Sequence, residues 1–112
     1  MNDLVAPREI QQIRDKFPSR IPVFITKAKN VGSKDLPDLK KNKYLVPMDL
    51  TIGQFIYIIR KQIDISPDKA LFIFINNTLP TTGMLMKELY SQYAGNDGLL
   101  RMQYTSESTF GY

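Results

Sequence analysis

The chain has 112 residues, a net charge of +4 at neutral pH, and neither cysteine nor histidine. This length supports one domain with a single core, and we expect one domain over 1–112. Without cysteine and histidine there is no thiol nucleophile, no imidazole general base and none of the commonest zinc ligands. The composition therefore argues against an enzyme and against a metal site, although serine–lysine and carboxylate catalysis stay open.

The first half of the chain predicts a helix followed by a hairpin. The helix opens at Pro7, a residue suited to the first helical position, and ends before Pro18. Residues 21–26 alternate as a strand, and 43–47 form a second, short strand. The segment between them, 27–42, indicates a long connection. Three apolar residues share the predicted buried face of the helix: Ile10, Ile13 and Phe17.

The positive charge is concentrated in this connection and the start of the second strand. Residues 27–43 hold six lysines and two aspartates, a net charge of +4, whereas 1–26 carry +1 and 44–112 carry −1. A solvated lysine loop is the simplest interpretation. An acidic peptide, an anionic membrane or a nucleic acid would each favour such a patch, but the chain shows no ribonucleoprotein, zinc-finger or helix-turn-helix pattern.

The strongest local signal is a helix at about 52–63. Thr51 and Gln54 have the spacing of a capping box, in which each side chain bonds the other's free main-chain N–H. Leu50 and Phe55 stand where a hydrophobic staple would form. The apolar residues of its predicted buried stripe are Ile52, Phe55, Ile56, Ile59 and Ile63, with Ile58 in a second apolar row.

The remaining elements are two strands and a short helix. The almost wholly apolar run at 71–75 predicts a strand covered on both faces. Residues 84–93 suit a short helix, and after a turn at 96–98 the alternation at 99–104 predicts a final strand. The apolar residues with fourfold spacing in the short helix are Leu85, Leu89 and Tyr93.

This order of elements predicts an α+β fold, the ubiquitin-like β-grasp. Its four-stranded mixed sheet carries a crossing helix, a short second helix and one N-terminal helix. We expect residues 1–6 to be a flexible N-terminus and 105–112 a flexible C-terminal tail. Removal of Tyr112 would leave Gly111 with an unhindered carboxylate, which can be activated, passed to a thiol and joined to an amine.

The sequence also resembles the autophagy ubiquitin-like modifier family, that of the GABA-receptor-associated protein and the microtubule-associated light-chain proteins. The similarity spans about residues 9–111 in one order. The clearest motifs are KYLVP at 43–47 and DLTIGQF at 49–55. Further matching segments are 17–18, 20–23, 59–61, 70–72, 76–77 and 110–111.

The resemblance implies a lipid-conjugated modifier of autophagy. A cysteine protease would trim the chain after Gly111, with Phe110 read beside the cut and Tyr112 removed. Ubiquitin-like activating and conjugating enzymes would then join Gly111 to phosphatidylethanolamine. It implies a cytoplasmic monomer that moves to autophagosomal membranes after lipidation, with no cofactor besides the covalent lipid and no nucleic-acid partner.

The resemblance also implies capture of short motifs with an aromatic residue, two spacers and an aliphatic residue, often preceded by acidic groups. Such a peptide would add a strand at 43–46 and bring cargo receptors and adaptors to the membrane. The implied aromatic pocket consists of Glu9, Ile13, Pro22, Phe24, Lys43, Leu45 and Leu99. The implied aliphatic pocket consists of Tyr44, Val46, Pro47, Leu50, Phe55 and Ile58. The implied contacts to the acidic flank are Arg20, Lys41 and Lys43.

The sequence departs from the family in four respects. We expect the first of the family's two N-terminal helices to be missing, and about three extra residues lie in the lysine-rich loop. Gln62 stands where arginine is usual, and Phe24 is bulkier than the usual aliphatic residue, so we expect a narrower aromatic pocket. The alternative functions are a ubiquitin-like peptide-binding adaptor that is never conjugated and a small basic nucleic-acid-binding domain.

Overall fold

A computed structural model describes residues 7–29 and 36–107 of the chain. The described elements follow the predicted order: α1 (Pro7–Lys16), β1 (Arg20–Lys27), β2 (Lys43–Pro47), α2 (Ile52–Gln62), β3 (Phe72–Phe74), α3 (Met86–Tyr93) and β4 (Leu100–Thr105). The predicted N-terminus at 1–6 and residues 108–112 of the tail predicted at 105–112 lie outside the described residues.

The four strands form one mixed sheet in the order β2-β1-β4-β3. β1 pairs antiparallel with β2 and parallel with β4, and β4 pairs antiparallel with β3. The first and last strands of the chain are therefore the central pair, and β2 and β3 are the edges. The ubiquitin-like β-grasp with a four-stranded mixed sheet is confirmed.

The two faces of the sheet carry different apolar sets. On one face, Ile21, Val23 and Ile25 of β1 join the main core with the buried residues of α2. On the other face, Phe24 packs with Ile10 of α1 and with Leu99 in a small separate cluster. The alternation predicted for β1 is confirmed, and α1 covers part of the second face.

The capping box of α2 is present. The amide of Gln54 donates to Thr51 Oγ1 at 3.1 Å, and the amide of Thr51 donates to Gln54 Oε1 at 2.9 Å. The amides of Ile52 and Gly53 donate to carbonyl groups of the 82–84 turn at 2.9 and 3.0 Å. All three amides of the first helical positions thus have protein partners, so this helix start does not offer them to an anion.

Some boundaries differ from the prediction because tight turns and caps shorten the elements. β3 has three residues, since Ile75 already bonds Thr78 across a turn in which Asn76 and Asn77 have φ of 54° and 62°. Two successive left-handed residues are typical of a type I′ hairpin turn. β4, in contrast, runs on to Thr105, which is fully buried, so the tail begins later than predicted.

The apolar stripes of the two shorter helices also differ from expectation. In α3, Leu85 is the N-cap and half-buried, while Met86 and Leu89 are fully buried. In α1, Ile10 is buried but Phe17, just past the helix end, is 38% exposed. The helical spacing of apolar residues correctly predicted that Ile10 is buried. It failed for Phe17, because the chain leaves the helix after Lys16, turns towards β1 and keeps Phe17 at the surface.

A proline in the central strand requires compensation, because it cannot donate to the sheet. β1 bonds β4 from Ala28 N to Tyr104 O at 2.9 Å. In this parallel ladder every second residue of β1 donates to β4, so the pattern continues from Ala28 back through Thr26 and Phe24 to Pro22. The carbonyl that would accept from residue 22 is that of Gly98. That carbonyl accepts a hydrogen bond from Tyr90 Oη at 2.7 Å. The Tyr90 hydroxyl therefore replaces the donor that proline lacks.

Tyr90→Phe should lower the free energy of unfolding by about 1 kcal/mol, because the Gly98 carbonyl loses its donor in a partly buried place. Phenylalanine keeps the aromatic ring at position 90, whose centroid lies 4.9 Å from the Arg14 guanidinium carbon in the wild-type chain. Urea denaturation measures the change, with an unaltered slope. The control is Tyr57→Phe, at a side chain that is 60% exposed; equal losses in both variants would contradict the role of Tyr90.

Candidate functional site

A cavity of about 200 Å³ opens on the sheet face that α1 partly covers. It is smaller than the roughly 300–1,000 Å³ of a typical small-molecule site, so its size suits one inserted side chain. Its lining is predominantly apolar, with two lysines. The lining residues are Ile10, Ile13, Pro22, Val23, Lys41, Lys43, Tyr44, Leu45 and Leu99.

Two strands, one helix and the turn before β4 bring these residues together. Pro22 and Leu45 are direct cross-strand neighbours in the β1–β2 ladder, so their side chains lie on the same face. Ile13 reaches the cavity from α1, one helical turn after the buried Ile10. Leu99, the residue just before β4, completes the lining.

A polar turn fixes the position of Leu99. The Asp97 carboxylate accepts the Leu99 amide at 3.2 Å and two bonds from the Arg101 guanidinium at 3.2 and 2.6 Å. The Arg101 hydrogen bonds hold the pKa of Asp97 below its usual range, with the Leu99 amide adding to the effect. Gly98 in this turn has φ of +85°, which favours glycine.

Five of the seven residues implied for the aromatic pocket line this cavity: Ile13, Pro22, Lys43, Leu45 and Leu99. Phe24 is not among the lining residues; it is 8% exposed and packs with Ile10 and Leu99. Glu9 is an exposed residue of α1, next to Ile10. Ile10 and Val23 also line the cavity but were not predicted to do so. Ile10 could have been predicted from the sequence, because its spacing from Ile13 places both on one helix face.

The residues implied for the aliphatic pocket divide into two groups. Val46 and Phe55 are buried in the main core, at 6% and 0% exposure. Tyr44, which meets the Phe55 ring edge-on at 5.6 Å, and Leu50 and Ile58 are half-buried. Pro47, at the end of β2, is exposed. Val46 and Phe55 are therefore core residues, and the other four keep solvent-accessible surface.

The outer edge of β2 carries main-chain groups that no neighbouring strand of the described sheet uses. The hydrogen bonds between β2 and β1 use the even-numbered residues of β2 and its flanks. At one end the Ile25 amide donates to Asn42 O at 2.8 Å, and at the other the Met48 amide donates to Ser19 O at 3.2 Å. In an antiparallel ladder these alternate with residues whose N–H and C=O point away. Lys43 and Leu45 therefore direct their main-chain groups to the open edge of the sheet.

Cationic side chains flank this edge. Arg20 Nη1 donates to the Leu45 carbonyl at 3.3 Å, Lys41 Nζ lies 5.1 Å from the centroid of the Tyr44 ring, and Lys43 is exposed. Burial raises the pKa of the Tyr44 hydroxyl. The three residues implied for the acidic flank thus surround one edge.

Other predicted features lie elsewhere or outside the described residues. Phe110, Gly111 and Tyr112 are not among the residues that the structure describes. Within 7–29 and 36–107, no group of three or more acidic side chains is placed to hold a metal ion. The same ranges contain no helix long and apolar enough to cross a membrane.

The chain is similar to autophagy proteins over almost its whole length. The family described as "Autophagy protein Atg8 ubiquitin like" matches residues 6–111. Autophagy-related protein 8a of Arabidopsis thaliana is 50% identical over 103 residues, which are 92% of this chain and 82% of the relative. Autophagy-related protein 8 of Candida glabrata is 50% identical over 104 residues, 93% and 86% of the two chains.

Solved structures of this family share the fold. Trypanosoma brucei ATG8 superposes with a TM-score of 0.82 at 36% identity, covering 94% of this chain and 88% of the other. Plasmodium falciparum Atg8, solved in complex with a Plasmodium falciparum Atg3 peptide, gives 0.81 at 37% identity, covering 93% and 89%. The chain belongs to the Atg8 family of autophagy ubiquitin-like proteins, which are modifiers and not enzymes.

Proposed function

We propose that this protein is a lipid-conjugated modifier of autophagy that captures aromatic-x-x-aliphatic peptides at the open edge of β2. The observation that carries the peptide proposal is the position of this edge. Lys43 and Leu45 direct outward main-chain groups that no described strand uses. They lie between the apolar cavity on one sheet face and the partly exposed apolar residues on the other. A peptide of cargo receptors or adaptors adds a strand there.

The spacing of the motif follows from strand geometry. Successive side chains of a strand point to opposite faces, so residues i and i+3 lie on opposite sides. An aromatic anchor entering the cavity beside Leu45 and Leu99 therefore places the aliphatic anchor, three residues on, at the other face. There it meets Tyr44, Leu50 and Ile58.

Charge favours acidic residues next to the motif. Arg20, Lys41 and Lys43 flank the open edge, and the whole described part of 27–43 is basic. Exposed pairs of this kind contribute little individually, and they mainly accelerate and orient binding. Arg20 already bonds the Leu45 carbonyl at 3.3 Å, so its guanidinium is positioned at the edge before the peptide arrives.

The conjugation proposal places the reaction at Gly111. A trimming cysteine protease reads Phe110 and removes Tyr112, and ubiquitin-like activating and conjugating enzymes transfer Gly111 to phosphatidylethanolamine. Membership of the Atg8 family supports this route, and the complex of the Plasmodium falciparum relative with an Atg3 peptide supports a peptide partner of that kind. Two acyl chains hold a protein on a membrane far more stably than one, so conjugation moves the cytoplasmic protein to autophagosomal membranes.

Leu45→Ala should weaken binding of an aromatic-x-x-aliphatic peptide about thirtyfold, because losing a packed anchor costs roughly 2 kcal/mol. Isothermal titration calorimetry measures the affinity. Leu79→Ala, at an exposed position that lines a different cavity, is the matched control and should leave it unchanged. An unaltered affinity for Leu45→Ala would refute the cavity as the anchor site.

The main-chain part of the proposal is tested at Lys43. Lys43→Pro removes an N–H that points to the open edge without breaking a bond to β1, whereas Lys43→Ala removes only the side chain. We expect Lys43→Pro to bind about fivefold more weakly than Lys43→Ala, the factor that about 1 kcal/mol for one hydrogen bond represents. With equal thermal stability in both variants, equal affinities would exclude strand addition at this residue.

Gly111→Ala should abolish lipid conjugation and leave the fold intact, since the substitution hinders only the terminal carboxylate. The test incubates the protein with the trimming protease, the conjugation enzymes and phosphatidylethanolamine vesicles, and detects the lipidated product by mass spectrometry. A chain ending at Gly111 is the positive control and should not need the protease. A lipidated Gly111→Ala product would refute the site, and an intact Tyr112 in native cells during autophagy would favour the non-conjugated adaptor.

A further inference from the structure

The positive charge of the chain lies at one end of the sheet. β1 and β4 are parallel, so both finish at the same end, with Lys27 opposite Tyr104. Lys29 follows β1 there and is exposed. Lys40, also exposed, follows Leu39, whose amide bonds the Tyr104 hydroxyl at 3.1 Å. We call this end, with Lys29 and Lys40, the basic end.

The geometry of the basic end is fixed by contacts within the fold. Tyr104 Oη also donates to Pro37 O at 2.9 Å, and Leu36 and Leu39 are buried in the main core. Lys27 Nζ donates to Leu36 O at 3.0 Å and pairs with Asp38 at 2.9 Å. Lys29 and Lys40 are thus carried by anchored segments.

The acidic groups near the basic end do not cancel its charge. Asp38 is paired with Lys27, and Asp68 and Lys69 of the nearby 66–69 turn offset each other in charge. The other described acidic groups at this end are Glu107, beyond β4, and Asp64, just after α2. The basic Arg60 and Lys61 in the last turn of α2 accompany Asp64. The opposite end of the sheet carries a mixture, with Lys16 and Lys87 against Asp15, Asp49 and Glu88.

The chain also leaves the sheet at the basic end. β4 finishes at Thr105, so the six residues from 106 to the proposed conjugation site Gly111 span at most about 21 Å even when fully extended. Screening at physiological ionic strength has a decay length of about 8 Å. A lipid joined to Gly111 therefore holds the basic end within about 21 Å of the bilayer, a tether short enough to let Lys29 and Lys40 reach the layer in which the surface charge acts.

We infer that the basic end is a membrane-contact surface, on which Lys29 and Lys40 bind anionic lipid headgroups once the chain is anchored. This inference rests on the proposed conjugation at Gly111. Lysines at an anionic leaflet strengthen attachment about fivefold each. The contact orients the sheet with this end towards the bilayer. The lysines then have two roles: Lys29 and Lys40 face the membrane, whereas Lys41 and Lys43 flank the edge proposed for peptides.

The test anchors the full-length chain chemically. Because the sequence has no cysteine, Tyr112→Cys introduces a unique thiol for coupling to maleimide-phosphatidylethanolamine in vesicles. One vesicle set is phosphatidylcholine, and the other contains about a third phosphatidylserine. Brief acetylation followed by mass spectrometry then measures the reactivity of each lysine, with Lys16 and Lys87 at the opposite end as internal controls.

We expect the reactivity of Lys29 and Lys40 to fall severalfold on the anionic vesicles and to recover at high salt, while Lys16 and Lys87 stay unchanged. Equal reactivity on both vesicle sets would overturn the inference. So would protection of Lys29 and Lys40 by a soluble acidic motif peptide without vesicles, which would assign the surface to peptides. Since the anchor is chemical, a failure of enzymatic conjugation at Gly111 is a separate result.

Charge reversal provides a second measurement. Two double variants of the Tyr112→Cys chain are compared, and they change the net charge equally. One combines Lys29→Glu with Lys40→Glu, and the control combines Lys16→Glu with Lys87→Glu. Only the first pair should slow coupling to the anionic vesicles by severalfold, with both pairs coupling alike to neutral vesicles. Equal slowing by the two pairs would show an effect of net charge alone and refute a localised surface.

Discussion

The parallel pairing of β1 with β4 is the constraint on which the other features depend. It makes the first and last strands of the chain the central pair, so β2 has to lie at an edge. It also sends both strand ends to the same end of the sheet, where the chain exits. The edge that we propose to bind peptides and the end from which the proposed conjugation tail departs thus both follow from one strand order, at different borders of the same sheet.

The central strand contains a proline, and the fold accommodates it through a residue distant in sequence. Pro22 cannot donate towards β4, and the Tyr90 hydroxyl occupies the Gly98 carbonyl instead. The same proline lines the cavity beside Leu45, where its flat ring adds apolar surface. One residue therefore weakens the ladder on one side and shapes the candidate site on the other, and α3 compensates for the loss.

The sequence predicted the fold well where local signals agree, and less well where tertiary contacts decide. Thr51 and Gln54 located the start of α2, and the alternation of Ile21, Val23 and Ile25 assigned the faces of β1. Asn76 and Asn77 are a local signal for a turn, because asparagine tolerates left-handed backbone, but nothing local indicated that this turn would take Ile75 and shorten β3 to three residues. For the site, periodicity placed Phe24 and Leu45 on one face, but only packing shows that Phe24 lies under Ile10 while Leu45 lines the cavity.

The burial of Val46 and Phe55 divides the residues of the proposed aliphatic pocket into core residues and accessible ones. Both side chains belong to the main core, so they are held rigid by the packing of the whole domain. Tyr44 rests edge-on against Phe55 and transmits that rigidity to the accessible side of β2. A short edge strand of five residues is normally a weak element. Here Val46 packs in the main core and holds β2 in place. The peptide strand that we propose therefore meets a preorganised edge, and binding costs less conformational entropy.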